Sequence, residues 1–238
     1  FITSFACFSP SRNWDQIRLS IAQQCANVKI IGSHYGFSAA SDGRSAQAFE
    51  DVALMRVLPN FVVLQPTDYE ETIKAVEEAA EHRGPVYIRI SREQLPKLTT
   101  PKTPFKVGKA YKYVEGKDAT IFTSGVITFE VLKAVSNLKA KHKIEVEVIV
   151  VPTIKPLDEK TILESAEKTQ KVITVEEHQI IGGLGSAVAE ILSEKLPTPL
   201  LRIGINDEFG ESGIYHELLD KYGLSAHHIE RKVLEFLK

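Results

Sequence analysis

The residues of this chain best suited to holding an anion are a histidine and an arginine, each just after a short apolar run. Gly32-Ser33-His34-Tyr35-Gly36 follows the run at 28 to 31, and Ser91-Arg92-Glu93 follows the run at 86 to 90. Ligands of open parallel sheets bind outside the carboxyl ends of the strands, so His34 and Arg92 fall where one crevice could serve both. A guanidinium offers a planar fork to phosphate oxygens, and an imidazole beside it adds a donor whose charge responds to the ligand. The chemistry implied is a phosphate on a small substrate. Each residue has a plainer alternative: for His34 a loop histidine bonded to backbone, for Arg92 a surface ion pair with Glu93 or a neighbour. The loop Ala40-Ser41-Asp42-Gly43-Arg44-Ser45 follows closely, and its Asp42-Gly43 pair is also what a simple turn demands.

A second cluster, Glu176-Glu177-His178, precedes Gly182-Gly183-Leu184-Gly185-Ser186. A glycine-rich turn between strand and helix can cradle phosphate with backbone N–H groups. The dinucleotide pattern is incomplete here, however, and no acidic residue ends a following strand at the expected place, so close packing of the helix is preferred. His227-His228 fall in the first turn of the last helix and are read as solvated.

The elements that must position these groups alternate between short apolar strands and amphipathic helices, the pattern of an α/β protein with a largely parallel sheet. Strands are expected at 28 to 31, 61 to 64, 86 to 90, 119 to 123, 145 to 151, 171 to 175 and 199 to 203. Thr67-x-x-Glu70 reads as a capping box opening a helix whose Ile73, Val76, Ala79 and Ala80 form the apolar stripe. The last helix is expected to begin at Ser225, with Leu224 and Ile229 as a hydrophobic staple and Val233, Phe236 and Leu237 turned inward. Three prolines at Pro96, Pro101 and Pro104 favour an extended path and put a domain boundary near residue 100. The run Phe1-Ile2-Thr3-Ser4-Phe5-Ala6-Cys7-Phe8 has the composition of a buried strand. Its outer edge is expected to be bare, disordered or covered by another chain, because a segment preceding Phe1 is expected to be lost or to lie elsewhere.

At 43% hydrophobic and 25% charged the 238 residues exclude disorder and coiled coil, and this length fits two domains. Lys+Arg 29 against Asp+Glu 31 leaves a net charge of -2, so there is no broad basic face for nucleic acid or an anionic membrane. Any anionic ligand must be held locally. Cys7 and Cys25 lack zinc or disulfide spacing and are read as small core residues in a reducing compartment. No apolar run approaches a membrane span and no signal peptide opens the chain, which points to the cytosol.

In order and spacing, Arg12-Asn13-Trp14-Asp15-Gln16-Ile17-Arg18, Asp42-Gly43, Phe49 to Arg56, Pro59-Asn60, Gln65-Pro66-Thr67-Asp68 and Gly84-Pro85-Val86-Tyr87-Ile88-Arg89 resemble the pyrimidine-binding domain of transketolases. Thr123-Ser124-Gly125, Val175-Glu176-Glu177-His178, Gly182-Gly183-Leu184-Gly185 and Phe209-Gly210-Glu211-Ser212 resemble the transketolase C-terminal domain. The continuous form is most similar to the separate C-terminal subunit of split transketolases.

The resemblance implies two three-layer α/β domains: an incomplete, mostly parallel pyrimidine-binding domain at 1 to 100 and a transketolase-type C-terminal domain at 101 to 238. It implies transfer of a two-carbon ketol unit from a ketose phosphate to an aldose phosphate, with thiamine diphosphate as cofactor. Phe5 and Phe8 match positions that pack on the aminopyrimidine ring. His34 and Arg92 match residues that bind the sugar phosphate, and Asp42 matches the carboxylate that accepts a hydrogen bond from a sugar hydroxyl.

Two departures stand beside these matches. Ala46 replaces a second histidine that many members carry after the Asp-Gly pair, which leaves open whether Gln47 substitutes for it. The cofactor-activating glutamate lies, in the family, before the segment matching Phe1, and no Gly-Asp-Gly motif for the diphosphate and its Mg2+ occurs in these residues. No catalytic residue is therefore assigned. The expected partner is an N-terminal, diphosphate-binding subunit, the expected assembly includes a homodimer, and the isolated chain is expected to be inert. A 2-oxoacid dehydrogenase β subunit, a deoxyxylulose-phosphate synthase and a non-catalytic dimerisation subunit are the alternatives.

Overall fold

The computed structural model describes residues 1–94 and 96–238. Among the described residues ten strands form two five-stranded sheets of α/β type. The first contains β1 (Ile2–Phe5), β2 (Lys29–Ser33), β3 (Val62–Leu64) and β4 (Val86–Ile90), ordered β1-β2-β4-β3 and all parallel. Between β1 and β2 the chain passes through a wide helical turn at Cys7–Arg12, a short α1 (Trp14–Gln16) and its continuation Ile17–Ala22. A 3-10 segment, Gly36–Asp42, and α2 (Asp51–Arg56) precede β3, and α3 (Tyr69–Glu81) crosses over to β4.

The second sheet takes β5 (Tyr111–Val114), β6 (Ala119–Thr123) and β7 (Val146–Val150), with α4 (Thr128–Asn137) between the last two. The next strand, β8 (Thr153–Lys155), leaves this sheet and pairs antiparallel with β3, closing the first sheet. After α5 (Glu159–Thr169) come β9 (Val172–Gln179), α6 (Leu184–Lys195), β10 (Leu200–Ile205), α7 (Tyr215–Lys221) and α8 (Ala226–Leu237). The order is β10-β9-β6-β7-β5, parallel except for the β5 edge.

Side chains alternate along the second sheet with the period of two that a strand imposes. Ile121, Val148 and Ile173 face α4 and α8, while Phe122, Ile149 and Val172 face a core shared with Ile162 of α5 and Val188 of α6. That second core also holds Ile17, Val52, Met55 and Ile30, so the two sheets bury one continuous apolar layer.

Several sequence expectations shift here. The α3 cap is Asp68, whose Oδ1 accepts from Glu71 N at 3.0 Å, while Glu71 Oε2 accepts from Thr67 N at 2.6 Å; the box is Asp68 to Glu71, one residue later than Thr67 to Glu70. The carboxylate wins because Asp68 also accepts from Leu98 N and Thr99 N at 2.7 and 2.6 Å, which pins the proline-rich segment to the helix start. The buried stripe of α3 is Glu71, Ala75 and Ala79, with Ile73 and Ala80 exposed, because small alanines let the helix sit closely on Val62, Leu64, Val86 and Ile88.

The opening run is a strand only to Phe5, and Pro10 lies within the helical turn that follows it. β1 is the edge strand, its outer side is unpaired among the described residues, and Phe1 and Ile2 are exposed. The two cysteines are not core residues: Cys25 is exposed and Cys7 only half-buried, with burial pushing the Cys7 thiol up to about 11. Strands β5 and β8 were not expected. Leu224 and Ile229 do flank Ser225 as a buried staple. Among the described residues no helix is long and apolar enough to cross a membrane.

Candidate functional site

Parallel register decides what meets at the carboxyl end of the first sheet. Phe5 lies opposite Ser33, and Ser33 opposite Ile90, so the residues that follow β1, β2 and β4 emerge side by side. His34 lies parallel to Phe5, with ring centroids 4.0 Å apart and planes 8° apart, and Phe8 lies 5.7 Å from Phe5 at 16°. The Arg12 guanidinium sits 4.7 Å from the Phe8 centroid. Arg92 reaches Asp42 at 3.4 Å, with about half of each side chain exposed.

The structure therefore brings His34, Asp42, Arg92, Phe5 and Phe8 to one end of one sheet. The Arg92 to Asp42 pair is loose, and an exposed pair of this kind contributes little stability. Both members can exchange it for a ligand at small cost.

His34 has a left-handed backbone, φ 56°, as does Ala40, φ 41°, within the segment that delivers Asp42. Such conformations cost a residue with a side chain roughly 1 to 2 kcal/mol and cluster where the fold imposes a geometry for use. Gly43, φ 75°, completes the turn with Ser212 Oγ only 2.4 Å from where a Cβ would sit, so the 209 to 212 loop presses directly on the Asp42-Gly43 turn. Burial lowers the His34 pKa and the nearby Arg92 charge lowers it further, against an opposing pull from Asp42. The ring bonds Ser33 Oγ through Nδ1 at 2.9 Å, leaving Nε2 for a ligand.

Glu93 stands beside Arg92, and its carboxyl is raised by burial against the opposing charges of Arg92 and His216. A cavity of about 490 Å³ opens next to it, lined by Thr67, Tyr69, Ile90, Ser91 and Glu93 among others, a size that suits a small metabolite.

Beneath this surface lies a polar network that periodicity could not reveal. Arg89, wholly buried, pairs with the buried Asp51 at 2.8 Å, lies 3.7 Å over the Tyr35 ring and donates to Ala48 O and Glu177 O at 3.2 and 3.1 Å. Tyr87 donates to the same Asp51 oxygen at 2.7 Å. Glu177 accepts from Phe37 N at 2.6 Å and from Tyr215 Oη at 2.9 Å, which ties β9 to the segment carrying Asp42. Burial raises Glu177 to about 7 against the Arg89 charge, and it lowers His178 to about 4. One signal was available in advance: a charged residue inside Val86-Tyr87-Ile88-Arg89-Ile90 requires a buried partner.

The glycine-rich turn after β9 is not a vacant phosphate cradle. Leu184 N and Gly185 N, at the start of α6, donate to the Glu176 carboxylate at 2.7 and 2.8 Å, so the protein fills its own anion position. A Cβ on Gly183 would lie 2.0 Å from Glu176 Oε2, which makes close approach the reason for glycine there. Gln47, next to Ala46, is buried and engaged elsewhere: its Nε2 donates to Glu211 O at 2.9 Å and its Oε1 faces Gly210.

Two family models cover the chain, the transketolase pyrimidine-binding domain at residues 1–97 and the transketolase C-terminal domain at 108–229. The chain belongs to the transketolase family. It is 43% identical to a Methanocaldococcus jannaschii protein provisionally named a transketolase C-terminal section, over all of this chain and 75% of that one. A 6-deoxy-6-sulfo-D-fructose transketolase subunit of a Clostridium species is 41% identical over 99% of this chain and 73% of its own length. Among solved structures, a split-gene transketolase described as an inactive β4 tetramer superposes with a TM-score of 0.92 at 44% identity, covering 99% of this chain and 75% of that one. The two mostly parallel sheets, the first closed by β8, are thus the transketolase pyrimidine-binding and C-terminal folds.

Proposed function

We propose that this chain is the pyrimidine-binding and C-terminal half of a split, thiamine diphosphate-dependent transketolase that moves a two-carbon ketol unit between sugar phosphates. The observation that carries this is the convergence of Phe5, Phe8, His34, Asp42 and Arg92 at one sheet end. Thiamine diphosphate supplies the electron sink on which the ketol unit is carried. The residues present fit its flat ring: Phe8 and Phe5 are half-buried, nearly parallel aromatic faces. They do not fit its diphosphate and Mg2+, for which these residues hold no Gly-Asp-Gly motif, and the relatives' names as section and subunit support a partner that does.

In this reading Arg92 grips the terminal phosphate through its fork and His34 adds an N–H. Asp42, released from Arg92, accepts a hydrogen bond from a sugar hydroxyl and sets its configuration. The cavity beside Glu93 takes the chain of the sugar. A terminal sulfonate presents the same three-oxygen face, and the sulfofructose relative makes that the second reading.

The test is Arg92→Ala in the complex reconstituted with its partner subunit. A charge-assisted hydrogen bond is worth roughly 1.5 to 3 kcal/mol, so KM for a phosphorylated donor should rise about tenfold to a hundredfold, with little change for hydroxypyruvate. Equal loss for both donors would return Arg92 to a structural ion pair with Asp42.

A further inference from the structure

We propose that Asp220, His227 and His228 form a binding site for a divalent transition-metal ion, with Zn2+ or Ni2+ the suitable class. Asp220 is in the last turn of α7, and the two histidines open α8. Their ligand atoms all lie within 4.8 Å of one another, the only such group of three among the described residues. Asp220 Oδ1 lies 3.3 Å from His227 Nδ1 and 3.6 Å from His228 Nδ1. Ligands held about 2.0 to 2.1 Å from a tetrahedral zinc stand about 3.3 to 3.4 Å apart, so both carboxylate-to-imidazole separations are already close to that spacing. Imidazole and carboxylate donors are those that Zn2+ and Ni2+ accept.

The backbone holds the arrangement ready. Leu224 and Ile229 are fully buried on either side of Ser225, and Leu224 N and Ser225 N both donate to Leu219 O, at 2.8 and 3.1 Å. The α7 to α8 turn is therefore fixed by its own hydrogen bonds. Ser225 Oγ lies 2.8 Å from Asp220 Oδ1 and 3.0 Å from each Nδ1, so one hydroxyl already draws the three atoms to a common point. The histidine rings, 3.9 Å apart at 39°, turn the same nitrogen toward that point.

Opposing charges bound the strength of the site. The α8 N-terminus carries positive partial charge, and Arg231 and Lys232 act on His228. Both disfavour a cation, so micromolar rather than nanomolar affinity is expected.

The test is titration of the full chain with ZnCl2 and with NiCl2 by calorimetry, beside Asp220→Asn, His228→Ala and the control His142→Ala. These side chains are at the surface, and circular dichroism checks that each variant folds. One ion per chain is expected, weakened at least about tenfold by Asp220→Asn and by His228→Ala but not by His142→Ala. Because the ion would join two helices, Tm should rise by about 5 to 10 °C at a hundredfold excess over Kd. Binding that survives both site variants, or no binding of either ion at millimolar concentration, overturns the proposal.

Discussion

Asp51→Ala is expected to be among the most destabilising single changes in this chain, because it strands a cation. Arg89 is completely enclosed and its one ion pair among the described residues is with Asp51 at 2.8 Å; its other direct contacts are two carbonyl oxygens and the Tyr35 face, with the Glu177 carboxyl close enough to feel its charge. Dipoles and a ring quadrupole ease a buried guanidinium but do not neutralise it. Breaking a buried pair from one side costs roughly 3 to 5 kcal/mol, and Tyr87 loses its acceptor in the same step. In a chain of 238 residues each kcal/mol moves Tm by about 2 to 4 °C, so a fall of about 6 to 20 °C follows. Thermal melts and urea titrations of wild type, Asp51→Ala, Arg89→Met and the double variant form a complete cycle. The double variant should lose at least about 2 kcal/mol less than the summed singles, since removing both charges leaves neither exposed to apolar surroundings. A loss below about 1 kcal/mol for Asp51→Ala, or strict additivity, would refute the view that this pair locks Tyr35 and the strand ends in place.

Glu177, raised by burial to about 7, binds its proton more tightly folded than unfolded, so its contribution to stability is present below pH 4.5 and is lost as pH rises through 7. His178, lowered to about 4, works the opposite way and loses its contribution as pH falls from 6.5. Burial raises Glu71 and Glu176 to about 7 as well, so urea stability should decline from pH 6.5, where the opposing His178 change ends, to about 7 and level off above it, and Glu177→Gln should make that decline shallower; an unchanged slope would remove Glu177 as one of its sources. Gly183→Ala should destabilise α6 by clashing with Glu176. Combining it with Glu176→Ala should cost clearly less than the two changes added, as measured by equilibrium unfolding.

Where structure follows from chain-local chemistry, the sequence was legible. Every strand expected from an apolar run is present, because Val, Ile and Phe flanked by turn residues have few other ways to be buried. The misses share a cause in tertiary context. β8 is three residues long and is a strand only because β3 offers it an open edge. The α3 cap moved to Asp68 because Leu98 and Thr99, thirty residues away, donate to the same carboxylate. Cys25 looked like a core residue by type, yet it ends in an exposed turn with φ 50°.

The candidate site divides along the same line. His34 and Arg92 could be placed together from sequence because parallel strands bring their carboxyl ends to one edge whatever the side chains are. What holds them there could not, since Arg89 needs Asp51, 38 residues away, and the Ala48 and Glu177 carbonyls, and no period links such positions. The glycine-rich turn makes the point most sharply. Its backbone donors are those a phosphate would use, and only the fold shows that Glu176, eight residues before Leu184, already occupies them. A motif specifies donors, but whether they are free is decided by the strand that brings the nearest carboxylate. At the other sheet the Arg92 fork meets, among the described residues, a loose and exposed Asp42, and that contrast is what favours the crevice over the glycine turn in the function proposed above.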